Sequence, residues 1–220
     1  AWHGAAQILF DVSLHVGRGE IVALLGRNGA GKSSTLKAIM GLMPRREGQL
    51  HFDGQDLAQM QSFEVARLGL GYVPEDRRIF TDLTVLENLT LAKQDARYDH
   101  RQRVLSDWTL EKLFDLFPNL ADMQHRQASH MSGGEQQMLS VARTLMGNPL
   151  LVMLDEPSEG IAPAIVSRMS DMVVTLKRQG VSVLLSEQNL DFAHSVCDRT
   201  YMIEKGELSE LVKMMGNTHL

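Results

Sequence analysis

The sequence holds a single cysteine, Cys197, among its 220 residues. No disulfide can form within the chain, and such sparse cysteine points to a reducing compartment. Long hydrophobic runs are missing too. The longest, such as Ile21 to Leu25 and Leu150 to Leu154, hold five residues, whereas a helix needs about twenty to cross a bilayer. There is no basic excess: 27 acidic residues face 22 basic ones, for a formal charge of −5. A nucleic-acid binder carries a basic stripe, so no nucleic-acid partner is expected. No secretory signal opens the sequence, which begins at Ala1 rather than Met. What is present is ordinary globular composition, 44% hydrophobic and 22% charged. That is too apolar for disorder and suits one large domain or two small ones.

Short apolar runs alternate with longer helical patterns, which is the signature of an α/β protein. Ile21–Leu25 reads as a buried strand that enters a glycine-rich turn. Helical spacing through Leu36, Ile39, Met40 and Met43 follows and stops at Gly41 and Pro44. Gln49–Asp53 reads as a strand ending at Gly54, and Gly71–Pro74 as another. From Thr84 to Gly147 the periodicity is almost wholly helical, with a capping box at Thr84 and Glu87 and an amphipathic helix over Leu105–Phe117. The remainder returns to α/β: strand Leu150–Leu154, helix Pro163–Gln179, strand Val181–Ser186 and strand Thr200–Glu204. The expected organisation is one α/β unit, residues 1–76 and 148–220, interrupted by a helical insert over residues 77–147.

Gly26-Arg27-Asn28-Gly29-Ala30-Gly31-Lys32-Ser33, followed by Ser34, matches GxxxxGK[ST] between a strand and a helix. Glycines let the backbone curl so that N–H groups point at phosphates, and the helix start adds partial positive charge. Lys32 is expected at the β- and γ-phosphates of ATP, and the Ser33 hydroxyl on Mg²⁺. The apolar strand Leu150–Leu154 delivers Asp155 and Glu156 at its end. Asp155 suits Mg²⁺, and Glu156 suits a general base for the attacking water. An ordinary glycine turn and a polar strand end are the bland readings of these segments, but their combination favours a nucleotide site.

A third element is Ser132-Gly133-Gly134-Glu135, whose serine and glutamate form a capping box before a helix running through Met138, Val141, Ala142 and Leu145. Beside the first two motifs it resembles the LSGGQ signature of ABC-type ATPases, with Met131 for leucine and Glu135 for glutamine. The order of segments along nearly the whole chain is similar to that family. The resemblance implies an α/β P-loop NTPase (RecA-like) core, a helical signature subdomain and an N-terminal antiparallel β region. It implies that Glu75 takes the position of the loop glutamine near Mg²⁺ and water. Ser158–Pro163 becomes the D-loop, with Ala162 where aspartate is usual, and Gln188 takes the place of the switch histidine. An adenine-stacking aromatic is implied at His3, with the neighbouring Trp2 as an alternative platform. In such ATPases two copies pair head to tail, so Ser132, Gly133 and Gly134 would meet the γ-phosphate bound by a homologous partner subunit.

Tyr72-Val73-Pro74-Glu75 with Arg77-Arg78-Ile79-Phe80, the Ser-Gly-Gly-Glu-Gln-Gln-Met run and Glu187-Gln188-Asn189 together resemble the second ATPase subunit of branched-chain amino acid importers. That implies two transmembrane permease subunits, a periplasmic solute-binding protein, and a place on the cytoplasmic face of a bacterial inner membrane. A related urea or amide importer, a regulatory subunit of low activity and a soluble ABC ATPase of DNA repair or translation are the competing readings. The last usually carries coiled-coil insertions or tandem cassettes, which do not fit here. The segment from Glu75 to Leu91 is a candidate groove for a membrane subunit's coupling helix, and equally a plain surface loop and helix. Arg77 and Arg78 read as solvated or as contacts to that partner. The thirteen methionines read as core filler, Cys197 as packing, and His51, His125, His130 and His194 lack metal-ligand spacing.

Overall fold

The computed structural model describes residues 1–99 and 101–213, the last four by their backbone alone. Residues 214–220, part of the tail after Gly206, lie outside them. The elements in chain order are β1 (Trp2–His3), β2 (Ala6–Gln7), β3 (Ile21–Leu25), α1 (Lys32–Ile39), β4 (His51–Phe52), β5 (Gln55–Asp56), α2 (Ser62–Arg67) and β6 (Leu70–Val73). Then come α3 (Val85–Leu91), β7 (Arg97–Tyr98), β8 (Val104–Ser106), α4 (Leu110–Leu116), α5 (Pro118–Asp122), a 3₁₀ turn (Ala128–His130) and α6 (Gly133–Leu145). The chain closes with β9 (Leu151–Asp155), α7 (Pro163–Arg178), β10 (Ser182–Glu187), α8 (Leu190–Val196), β11 (Arg199–Glu204) and β12 (Glu207–Lys213).

A mixed sheet in the order β12-β11-β3-β10-β9-β6 forms the centre. Its inner strands are parallel, and β12 closes one edge antiparallel to β11. Every residue of β3, β9 and β10 is buried. Strands covered on both faces read as unbroken apolar runs rather than alternations, which is why these three were legible in sequence. One face packs against α6, α7 and α8 through residues such as Leu139, Val173 and Phe192. The other packs against α1 and the N-terminal segments through Leu36, Leu57 and Val65. Short antiparallel pairs β1–β2 and β4–β5 make up the N-terminal β region.

Three sequence expectations need correction. The segment 84–147 is not wholly helical, because β7 and β8 form a hairpin. The expected helix over Leu105–Phe117 begins only at Leu110, where the Thr109 side chain caps it. Val104–Ser106 goes to the hairpin because Asn148, 1% exposed, fixes the chain there: its Oδ1 accepts from Trp108 N–H at 2.5 Å and its Nδ2 donates to Gln94 O at 2.8 Å. A tertiary partner decides that boundary, not local periodicity. The strand expected over Gln49–Asp53 shrinks to His51–Phe52, since Asp53 (φ 47°) and Gly54 (φ 80°) both adopt left-handed backbone and reverse the chain into β5. Cys197 ends the unanticipated helix α8, and burial pushes its thiol up to about 12, as suits a packing residue.

Candidate functional site

The carboxyl ends of β3, β9 and β10 converge, as expected for a site in a parallel sheet. After β3 the backbone curls through Gly26–Gly31. Gly26 N–H donates to Glu187 O at 3.2 Å, and a Cβ on Gly26 would lie 2.4 Å from the Ile203 carbonyl oxygen, so β11 excludes any other residue. Gly29 (φ 79°) and Gly31 (φ 115°) take left-handed backbone. Asn28 and Gly29 are exposed at the tip, while Ala30 is buried and its carbonyl accepts from Gly206 N–H at 2.8 Å. Helix α1 then starts at Lys32 with no side-chain cap and no acidic residue in its first turn. By contrast α3 and α6 carry full capping boxes. The first N–H groups of α1, at Lys32, Ser33 and Ser34, are thus left for an anion.

Lys32 is 3% exposed. Its Nζ donates to Gly26 O at 2.8 Å and Arg27 O at 3.1 Å, and pairs with Glu156 Oε1 at 3.0 Å. Ser33 Oγ donates to Asp155 Oδ1 at 2.8 Å. Two donors unforeseen in the sequence complete the setting of that carboxylate: Ser186 Oγ to Oδ1 at 2.6 Å and Tyr72 OH to Oδ2 at 2.9 Å. Burial, with Asp155 beside it, pushes the Tyr72 phenol well above its ordinary value, so it stays a donor. Its strand position gave no sign of this, because the partner is 83 residues away.

Glu156 takes left-handed backbone (φ 49°), with its N–H on Ser186 O at 2.9 Å. Adjacent residues of a regular strand face opposite ways. The break in backbone after Asp155 is what lets Glu156 turn over Lys32. Its other oxygen, Oε2, is buried and meets no N–H or hydroxyl donor. Glu159, also missed in sequence, is pushed up to about 7, chiefly by hydrogen bonding to Glu156, then by desolvation and the charges of Glu156 and Glu75. Glu187 accepts from Ser158 N–H at 3.0 Å and Asn189 N–H at 3.2 Å, and burial raises its carboxyl above the usual range. Glu75 and Gln188 are exposed at the rim.

Ser132, Gly133 and Gly134 are not among the polar partners of Lys32, which are Gly26, Arg27 and Glu156. Ser132 Oγ accepts from Glu135 N–H at 3.4 Å, and Glu135 Oε2 accepts from Ser132 N–H at 2.7 Å, as the capping box requires. Arg77 covers Gly133 and Ile165 covers Gly134. Arg77 is not merely solvated: its Nε donates to Gln137 Oε1 at 3.3 Å, and its carbonyl accepts from Ser140 Oγ at 2.6 Å. Arg78 O accepts from Arg143 Nη2 at 2.6 Å, so α6 clamps the loop that leaves β6. Trp2 is half-buried with Arg45 4.1 Å above its ring centroid, so one face is already covered. His3 is exposed on β1.

An ammonium, a hydroxyl, two carboxylates and free helix N–H groups on a glycine loop can hold a polyphosphate and polarise water beside it. Comparison with known proteins agrees. The family model described as ABC transporter matches residues 9–159. The chain is 41% identical over 207 residues to the high-affinity branched-chain amino acid transport ATP-binding protein BraG of Pseudomonas aeruginosa, covering 94% of this chain and 87% of that protein. It is 33% identical over 209 residues to the lipopolysaccharide export system ATP-binding protein LptB of Escherichia coli, covering 92% and 83%. A nucleotide-free ATP-binding cassette from an ABC transporter superposes with a TM-score of 0.81 at 25% identity, covering 98% of this chain and 88% of that one. No helix among the described residues is long and apolar enough to cross a membrane. On motif, fold and relatives together, this chain belongs to the ABC transporter family, as a subunit that binds ATP and hydrolyses it to drive transport.

Proposed function

We propose that the chain powers import of branched-chain amino acids, working at the cytoplasmic face of a bacterial inner membrane. The chemistry rests on one observation: Lys32, Ser33, Asp155 and Glu156 converge within hydrogen-bonding distance on an uncapped helix start. The solute class rests on the 41% identity to BraG.

In this reading the backbone of Gly26–Gly31, with Asn28, Gly29 and Ala30 at its tip, wraps the phosphates, and the N–H groups of Lys32, Ser33 and Ser34 bind their oxygens. Lys32 supplies the charge. The Ser33 hydroxyl and the Asp155 carboxylate fit Mg²⁺, because both are hard oxygen donors already 2.8 Å apart at the mouth of the loop. Mg²⁺ held by these two groups would supply charge neutralisation at the phosphoryl oxygens. Glu156 accepts a proton from water, Gln188 donates to the phosphoryl group, and Glu75 orients water and adds an oxygen toward the metal. Trp2 or His3 lies against the base. Ser132, Gly133 and Gly134 are exposed or half-exposed and none is a polar partner of the chain's own lysine, which supports a head-to-tail dimer in which they close a homologous partner's site. Two permease subunits contact the loop after β6, and a periplasmic solute-binding protein delivers the solute. Residues 1–76 and 148–220 form the nucleotide core and residues 77–147 the signature subdomain.

The test is reconstitution with its membrane subunits in proteoliposomes, measuring ATP-driven uptake of leucine, isoleucine and valine beside urea and short amides. Glu156→Gln is expected to lower hydrolysis by about 10²–10⁴ while a fluorescent ATP analogue still binds. Uptake of amides alone would overturn the solute, and hydrolysis unaffected by Glu156→Gln would overturn the assigned base.

A further inference from the structure

Asp155 is 1% exposed, and three hydroxyls from three different elements surround it. Ser33 on α1 and Ser186 on β10 both donate to Oδ1, at 2.8 and 2.6 Å; Tyr72 on β6 donates to Oδ2 at 2.9 Å. Neutral donors satisfy the lone pairs of a buried carboxylate without pairing it with a counter-charge. The three are not equivalent. The two serines share one oxygen, and loss of either leaves the other in place. Tyr72 alone defines the second oxygen, and the terminal torsion of an aspartate is broad enough to turn if nothing holds it. Tyr72 is also the last residue but one of β6, and Glu75 follows three positions on in the exposed loop. One strand thus carries both the tether and the loop that faces outward.

We propose that Tyr72 is a positioning residue for the ATPase reaction, its hydroxyl locking Asp155 Oδ2 so that Oδ1 stays turned toward Ser33. The claim rests on the reading above that Ser33 and Asp155 hold Mg²⁺. The Tyr72 hydroxyl acts on Asp155, and so sets the orientation of the oxygen that would meet the metal.

The experiment uses the full chain and Tyr72→Phe, which keeps the ring and removes only the donor. Binding of a fluorescent ATP analogue is measured without metal and across a Mg²⁺ titration, with thermal unfolding followed alongside. Tyr72→Phe is expected to leave metal-free binding within about twofold of the parent and to raise the half-saturating Mg²⁺ concentration about tenfold, the size of one hydrogen bond to a charged group. Ser186→Ala is expected to shift it less, because Ser33 still holds the same oxygen. An unchanged Mg²⁺ titration overturns the proposal. So does an equal fall of metal-free and metal-dependent binding together with the melting temperature, which would make Tyr72 only a packing residue. Analogue binding by the parent that survives Lys32→Ala would instead overturn the phosphate-loop reading.

Discussion

Lys32→Met isolates the energetics of the buried ion pair, because it keeps most of the apolar stem of the side chain and removes the ammonium. In the parent that ammonium has three partners, the carbonyls of Gly26 and Arg27 and the Glu156 carboxylate at 3.0 Å. The side chains of the ion pair are 2% and 6% exposed. The two carbonyls belong to a loop open at its tip, so water can replace the lysine there at little cost. Glu156 has no such relief. No N–H or hydroxyl donor reaches its Oε2, and without Lys32 the buried carboxylate has no cation. Removing one member of a buried pair costs about 3–5 kcal/mol. For a chain of this size each kcal/mol moves the melting temperature by about 2–4 °C, so a drop of about 6–20 °C is expected at pH 8. Thermal and urea unfolding of both proteins without nucleotide provides the assay. A variant as stable as the parent at pH 8 would refute the reasoning.

Gln188→His adds a cationic donor at the rim. Charge-assisted hydrogen bonds exceed neutral ones by about 1 kcal/mol, so hydrolysis by the assembled complex should rise about fivefold; a histidine variant no faster than the parent contradicts this. Glu159→Gln addresses the acid pushed up to about 7 from an ordinary 4.5. A raised carboxyl favours its protonated form in the folded chain. Its stabilising contribution is therefore complete below pH 4.5 and lost as pH rises through 7. The melting temperature of the parent should fall more steeply than that of Glu159→Gln across this window, by a margin that solvent screening keeps small. Parallel curves for the two proteins would remove Glu159 from the account.

The sequence determined a good deal. Short, fully apolar runs at Ile21–Leu25 and Leu150–Leu154 read as buried strands because both faces are covered and no polar alternation interrupts them. The capping boxes at Thr84–Glu87 and Ser132–Glu135 were legible because their partners lie three residues apart, and the phosphate loop because its geometry is set by consecutive backbone units. What lay beyond reach depends on partners distant in the chain. Asn148 holds Trp108 and so turns an expected helical turn into a hairpin strand. Tyr72 and Ser186 meet on Asp155 from strands 114 positions apart in the numbering of the chain, and Arg77 folds back onto α6 rather than into solvent. Local motifs declare which groups exist; only the packed sheet brings β6, β9 and β10 side by side, and that adjacency decides which hydroxyls hold the carboxylate and which acids must share one buried charge.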